Sequence, residues 1–111
     1  PYDFIVLPNY GYPPRVSADG SAISSYLLSI TNRERSNVEL RIEGKLMNTF
    51  VDVTPEKVML KAGELRKVPV YIAIRNYDKS RITGHIDISI ESDKPDKVRV
   101  TKQANIVLPE A

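Results

Sequence analysis

The sequence contains no cysteine and no tryptophan, one histidine, and only five glycines in 111 residues. Each shortage closes off a class of chemistry. Without cysteine there is no disulfide, no thiolate nucleophile and no cysteine-built zinc or iron–sulfur site. With His85 as its single imidazole, the chain lacks the several nitrogen and sulfur donors that a transition-metal site draws on. The scattered glycines form no loop able to cradle a phosphate, and no Gly-x-Ser-x-Gly elbow exposes a serine nucleophile. No run of 18 apolar residues is present, and no block of five like charges. The first residues lack the charged, apolar and small-residue parts of a signal peptide. The chain begins at Pro1, directly before a hydrophobic run, which reads as the cut edge of a longer protein.

What is present has the balance of one ordinary soluble domain spanning residues 1–111: 41% hydrophobic and 27% charged. A chain of this length is expected to bury roughly 65% of its unfolded surface, enough for a core without covalent staples. Lys and Arg exceed Asp and Glu by 16 to 14, an excess too small to mark a nucleic-acid partner.

Period-two alternation dominates the chain and predicts strands. Tyr26, Leu28 and Ile30 share one face within 23–32, with Leu27 breaking the pattern. Val38, Leu40 and Ile42 alternate with Glu39, Arg41 and Glu43; Val68, Val70, Ile72 and Ile74 form a third strand, and Ile86, Ile88 and Ile90 a fourth. Weaker runs cover 3–7, 50–53, 58–60 and 98–107, the last keeping its phase through Val98, Val100, Ala104, Ile106 and Leu108. Turn signals at Asp19-Gly20, Thr54-Pro55, Ala62-Gly63, Thr83-Gly84 and Lys94-Pro95 punctuate these runs about every ten residues, the rhythm of a β-sandwich. The expectation is an all-β fold, a sandwich of seven to eight antiparallel strands. Pro69 lacks a ladder donor, which places it on an edge or at a bulge. Asp19-Gly20 suits a turn with positive φ, Asn32 is suited to close the following loop with its side chain, and Gly44 is expected where a strand ends and turns.

No constellation of residues points to catalysis. His85 falls on the polar face of its strand, and the carboxylate pairs Glu39 with Glu43 and Asp87 with Glu91 read as solvated strand-face charges. Basic residues such as Arg33, Arg35, Lys61, Lys79 and Arg81 lie near predicted strand ends and loops, interspersed with acids, and read as solvated loops. The segment 7–14 is different. It gathers three prolines and two tyrosines, cannot run as a central strand, and reads either as a stiff crossover between two edges or as an aromatic platform for a protein partner. The candidate partner contacts are Tyr10, Tyr12, Pro13 and Pro14.

Several stretches carry a family resemblance. Residues 51–64, VDVTPEKVMLKAGE, followed by the alternating strand 68–74, look like the V-x-P-x-x-V-x-L-x-x-G-E pattern of bacterial immunoglobulin-like accessory domains. Together with Asp19-Gly20-Ser21, the run from Tyr26 to Asn32 and the run from Val38 to Gly44, the sequence resembles the C-terminal domain of the FixG/CcoG family of cytochrome oxidase accessory proteins. The resemblance implies an immunoglobulin-like sandwich on the periplasmic side of the bacterial inner membrane. It implies a parent protein with membrane helices and 4Fe-4S clusters outside this domain. It also implies support of cbb3-type oxidase assembly through copper reduction or delivery, with oxidase assembly components as protein partners. For the domain itself the expectation is no catalysis, no metal, no cofactor, no nucleic acid and no membrane insertion. The rival reading is an immunoglobulin-like module that binds a carbohydrate or a surface protein through Tyr10, Tyr12, Tyr71 and Tyr77.

Overall fold

The computed structural model describes residues 2–75, 84–92 and 97–106. The expectations placed on Tyr77, Lys79, Arg81, Thr83, Lys94-Pro95 and Leu108 lie outside the described residues. Among the described residues nine strands follow in order: β1 Tyr2–Pro8, β2 Arg15–Val16, β3 Ala22–Asn32, β4 Val38–Leu46, β5 Thr49–Thr54, β6 Lys57–Leu60, β7 Leu65–Ile74, β8 His85–Ser92 and β9 Val98–Asn105. All pairings among them are antiparallel.

The strands occupy four lanes in each of two sheets. In the first sheet β1 and β2 share the lane beside β3, then come β7 and the end of β5. In the second sheet β6 and the start of β5 share the lane beside β4, followed by β8 and β9. β5 therefore belongs to both sheets: 49–51 pair with β4, and 52–54 pair with β7. The Glu56 carbonyl accepts from the Ile42 amide (2.8 Å), bridging the step between β5 and β6 along β4.

Alternation builds the core directly. The inward residues Leu28, Ile30, Leu40, Val70, Ile72, Ile88 and Ile90 are completely buried in one cluster that takes side chains from both sheets. Burial of each such aliphatic contributes about 1.5–3 kcal/mol. Among the described residues no ladder joins β1 to β9, and tyrosine hydroxyls tie this side of the sandwich instead. Tyr2 donates to the Val98 carbonyl (2.8 Å) and lies 2.6 Å from Ser92 Oγ; Tyr26 donates to the Asn105 carbonyl (2.8 Å). Lys102, which takes an inward-phase position on β9, reaches Asp3 on β1 at 3.9 Å. A charge at such a position discourages a foreign strand from adding to the edge.

The loops follow the turn chemistry in part. Gly20 has φ +85°, and the Asp19 carboxylate accepts from the Ser17 hydroxyl and from the Ser21 amide (2.9 Å). These bonds, the serine hydroxyl first, hold the Asp19 carboxyl down at about 2. Asn32 is fully buried. Its Nδ2 donates to the carbonyls of Ser36 (3.1 Å) and Lys61 (3.0 Å), and its Oδ1 accepts from the Glu34 amide (3.0 Å). One amide thus ties the β3–β4 loop to the β6–β7 loop.

Three expectations are corrected. Gly44 does not end a strand: it sits inside β4, where a Cβ would stand 3.1 and 3.2 Å from the Cγ2 atoms of Val51 and Val53. Its lack of a side chain gives β5 room to cross from one sheet to the other. The turn comes at Met47-Asn48, both with positive φ (52° and 65°), the two-residue hairpin geometry of a primed turn. Second, the segment 7–14 is no crossover. β1 leaves β3 at Pro8 opposite Tyr26, and β2 returns to the same edge at Arg15 opposite Ile23, so the proline-tyrosine stretch is an excursion from one lane. Third, Glu91 is not solvated but buried on the outer face of the central strand β8, as described below. Pro69 fits the edge reading. β7 is flanked by β5 only at 71–73, so Pro69 lies on the half of the strand with no partner on that side among the described residues.

Candidate interaction surface

The outer faces of the two sheets have opposite characters. On the second sheet, charge is gathered and internally matched. Arg41 Nη2 stands 3.0 Å from Glu91 Oε2, Arg99 Nη1 stands 3.1 Å from Glu43 and 3.8 Å from Glu91, and Lys97 approaches Glu91 Oε1 at 3.7 Å. Ser89 and Thr101 share a 2.8 Å hydrogen bond in the same layer. Burial of Glu91 follows from this: on the middle lane, long cationic side chains from β4, β9 and the residue before β9 close over it. The alternation could not reveal it, because burial here is supplied by side chains from other strands.

On the first sheet the register lines up apolar residues. Leu7, Leu27 and Pro69 form one row across β1, β3 and β7. Below it stand Ile5, Ser29 and Lys67, then Asp3, Thr31 and Leu65. Above it Ser25 pairs with Tyr71, and Arg15, Ile23 and Ala73 form the top row. Ile5 and Leu65 are 60% and 62% exposed. Leu27, the residue that broke the alternation, is the centre of this patch.

The excursion 9–14 borders the patch. The Tyr12 amide donates to the Asn9 carbonyl (3.2 Å), closing a turn, and the Tyr12 ring meets Tyr71 edge to face with centroids 5.4 Å apart. Partial burial first, and the Tyr12 phenol second, push the Tyr71 hydroxyl above its ordinary range. Tyr12 remains 54% exposed and Tyr10 90% exposed. Pro13 is exposed and Pro14 half-buried. Under the segment lies a pocket of about 220 Å³, bounded by Tyr10, Tyr12, Pro13, Pro14, Ser24 and Tyr26. Burial pushes the Tyr26 hydroxyl above its ordinary range.

The four residues singled out in the sequence are therefore together, and the structure adds Tyr71, Leu27, Ile5 and Arg15 to the same side. Leu27 signalled itself by breaking phase; Ile5 and Arg15 carried no signal, because only the register places them beside it. His85 is exposed on β8 opposite Asn105. Met47 lies in the β4–β5 turn and Met59 on β6, both exposed. Among the described residues no three His, Cys, Asp or Glu side chains cluster to hold a metal ion, and no helix is long and apolar enough to cross a membrane.

The comparisons with known proteins agree with this architecture. Among curated protein sequences none matches the chain. The crystal structure of a FixG-related protein from Vibrio parahaemolyticus superposes with a TM-score of 0.67 over 96% of this chain and 95% of that one. At 15% identity the likeness establishes the fold. Residues 1–109 match the family described as "IG-like fold at C-terminal of FixG, putative oxidoreductase". This chain belongs to that family of immunoglobulin-like FixG C-terminal domains.

Proposed function

We propose that the chain is a non-catalytic docking module on the periplasmic side of the inner membrane. Its parent would be a membrane-bound iron–sulfur protein that supports cbb3-type oxidase assembly by copper reduction or delivery. The domain's task in that protein is to hold an oxidase assembly component. The single observation that carries the docking role is the segment Tyr10–Pro14. There an almost fully exposed tyrosine, a half-exposed one and two prolines stand over an apolar pocket, on a backbone held at both ends by pairing with β3. Aromatic surface on a preformed segment loses little conformational entropy when a partner covers it. The residues do not fit an iron–sulfur cluster, which requires cysteine thiolates that this chain lacks.

The test is made in the parent protein. Tyr10→Ala and Tyr12→Ala are expected to lower cbb3 oxidase activity in membranes and to weaken capture of the assembly partner, with the unfolding midpoint of the domain nearly unchanged. Oxidase activity and partner capture that match wild type in both variants would refute the docking role. On the isolated chain, anaerobic titration is expected to find no stoichiometric sub-micromolar Cu(I) site, and finding one would overturn the purely docking assignment.

A further inference from the structure

The outer face of the first sheet is self-complementary, and we infer that it is the contact between two copies of this chain, related by a two-fold axis along the Leu7–Leu27–Pro69 row. In such an isologous contact, each row above the axis meets the corresponding row below it on the partner. The central row then lies against itself, apolar on apolar. One step out, Ile5 meets Tyr12 and Lys67 meets Tyr71, placing an aliphatic side chain and an ammonium group against aromatic rings. Two steps out, Leu65 meets Ala73 and Asp3 meets Arg15, a charge pair formed twice by symmetry.

The charges support this occupant. Among the described residues Arg15 has no carboxylate within ion-pair distance, and the Asp3 carboxylate, which accepts from the Phe4 amide (2.8 Å), has as its cationic neighbour only Lys102 at 3.9 Å. On the other outer face the central charges, Arg41, Glu43, Glu91 and Arg99, are already matched to one another within the sheet. Two sheets packed face to face keep their strands within about 30° of alignment, and the long Arg15 side chain spans the sideways shift this gives at the outer rows. Five rows on three lanes measure about 27 Å by about 10 Å between the outer backbone positions. With side-chain reach this buries about 500 Å² per copy, about 1,000 Å² in all, the lower bound for a specific interface. A weak dimer with Kd of about 10–100 µM is the expected result. The contact shares Tyr12 with the proposed docking segment, so it is tested at Leu27, Asp3 and Arg15, which lie outside Tyr10–Pro14.

Sedimentation equilibrium on the 111-residue chain, from micromolar to near-millimolar concentration, tests it. Wild type is expected to dimerise, and Leu27→Lys to raise Kd tenfold or more with an unchanged unfolding midpoint. Asp3→Arg and Arg15→Asp are each expected to weaken association at least tenfold, since like charges then meet twice, and the combined charge swap to restore it to within about threefold of wild type. A chain that stays monomeric throughout, a dimer indifferent to Leu27→Lys, or a swap no better than the single reversals would each overturn the assignment.

Discussion

The two outer faces of this sandwich solve the same problem differently. Both are half-exposed layers over the same core, yet one closes a cluster of charges on itself around Glu91, with Phe50 and Met59 exposed at its margin, and the other runs leucine, proline and tyrosine through its middle. On the second sheet the strand pattern supplies acids and bases in neighbouring lanes, so Glu91 is buried without a hydrophobic neighbour being required. On the first sheet the same pattern supplies leucine, proline and tyrosine where charges would be expected. The difference teaches that a face which satisfies itself is architecture, whereas a face that does not is a surface awaiting something.

Mutations sharpen that contrast, beginning beneath both faces. Leu28→Asp places a carboxylate in the fully buried cluster and is expected to cost more than about 4 kcal/mol, read as a collapse of the urea midpoint. Glu91→Ala is expected to cost about 2 kcal/mol: removing one partner of a buried pair is expensive, but Arg41, Lys97 and Arg99 retain access to water and soften the loss. Tyr26→Phe removes the hydroxyl that holds the Asn105 carbonyl and is expected to cost about 1 kcal/mol. Ser29→Asp, on the open face beside Lys67, is expected to stay within about 0.5 kcal/mol of wild type. Equal midpoints for Leu28→Asp and Ser29→Asp would invert the assignment of inner and outer faces.

The smallest effect is a pH dependence. Asp19, held at about 2, and Glu64, lowered by the Lys61 amide and then by Arg66, both have folded values below those of the unfolded chain. Their contribution is complete above the unfolded carboxylate range and is lost as pH falls from about 4.5 toward about 2. Asp19→Asn is expected to flatten the lower part of that slope in urea titrations between pH 4 and 2, and an unchanged slope would remove Asp19 from the account.

The strands with strict alternation were legible because burial there is decided by one strand's own phase. So were Asp19-Gly20 and Asn32, whose roles rest on local backbone chemistry. What escaped depended on register. Gly44 read as a turn because glycine commonly marks one, whereas its task is to admit two valine side chains from β5. The true turn, Met47-Asn48, lacks the glycine that announces such a hairpin. Glu91 read as solvated because its cover arrives from positions up to 50 residues away in sequence. The proline-tyrosine segment was recognisable as unusual, but whether it joined two edges or left and rejoined one was a matter of pairing that prolines do not encode.

The passage of β5 from one sheet to the other has a further consequence for how the molecule comes apart. A sandwich whose sheets are joined only by loops is free to peel, one layer loosening while the other persists. Here a single six-residue strand is hydrogen-bonded into both layers, and Gly44 is pinned where it crosses. Loss of either layer therefore strips bonds from the other, so amide exchange in β3 and in β8 should report the same opening event rather than two. Mechanically, the strand works as a rivet.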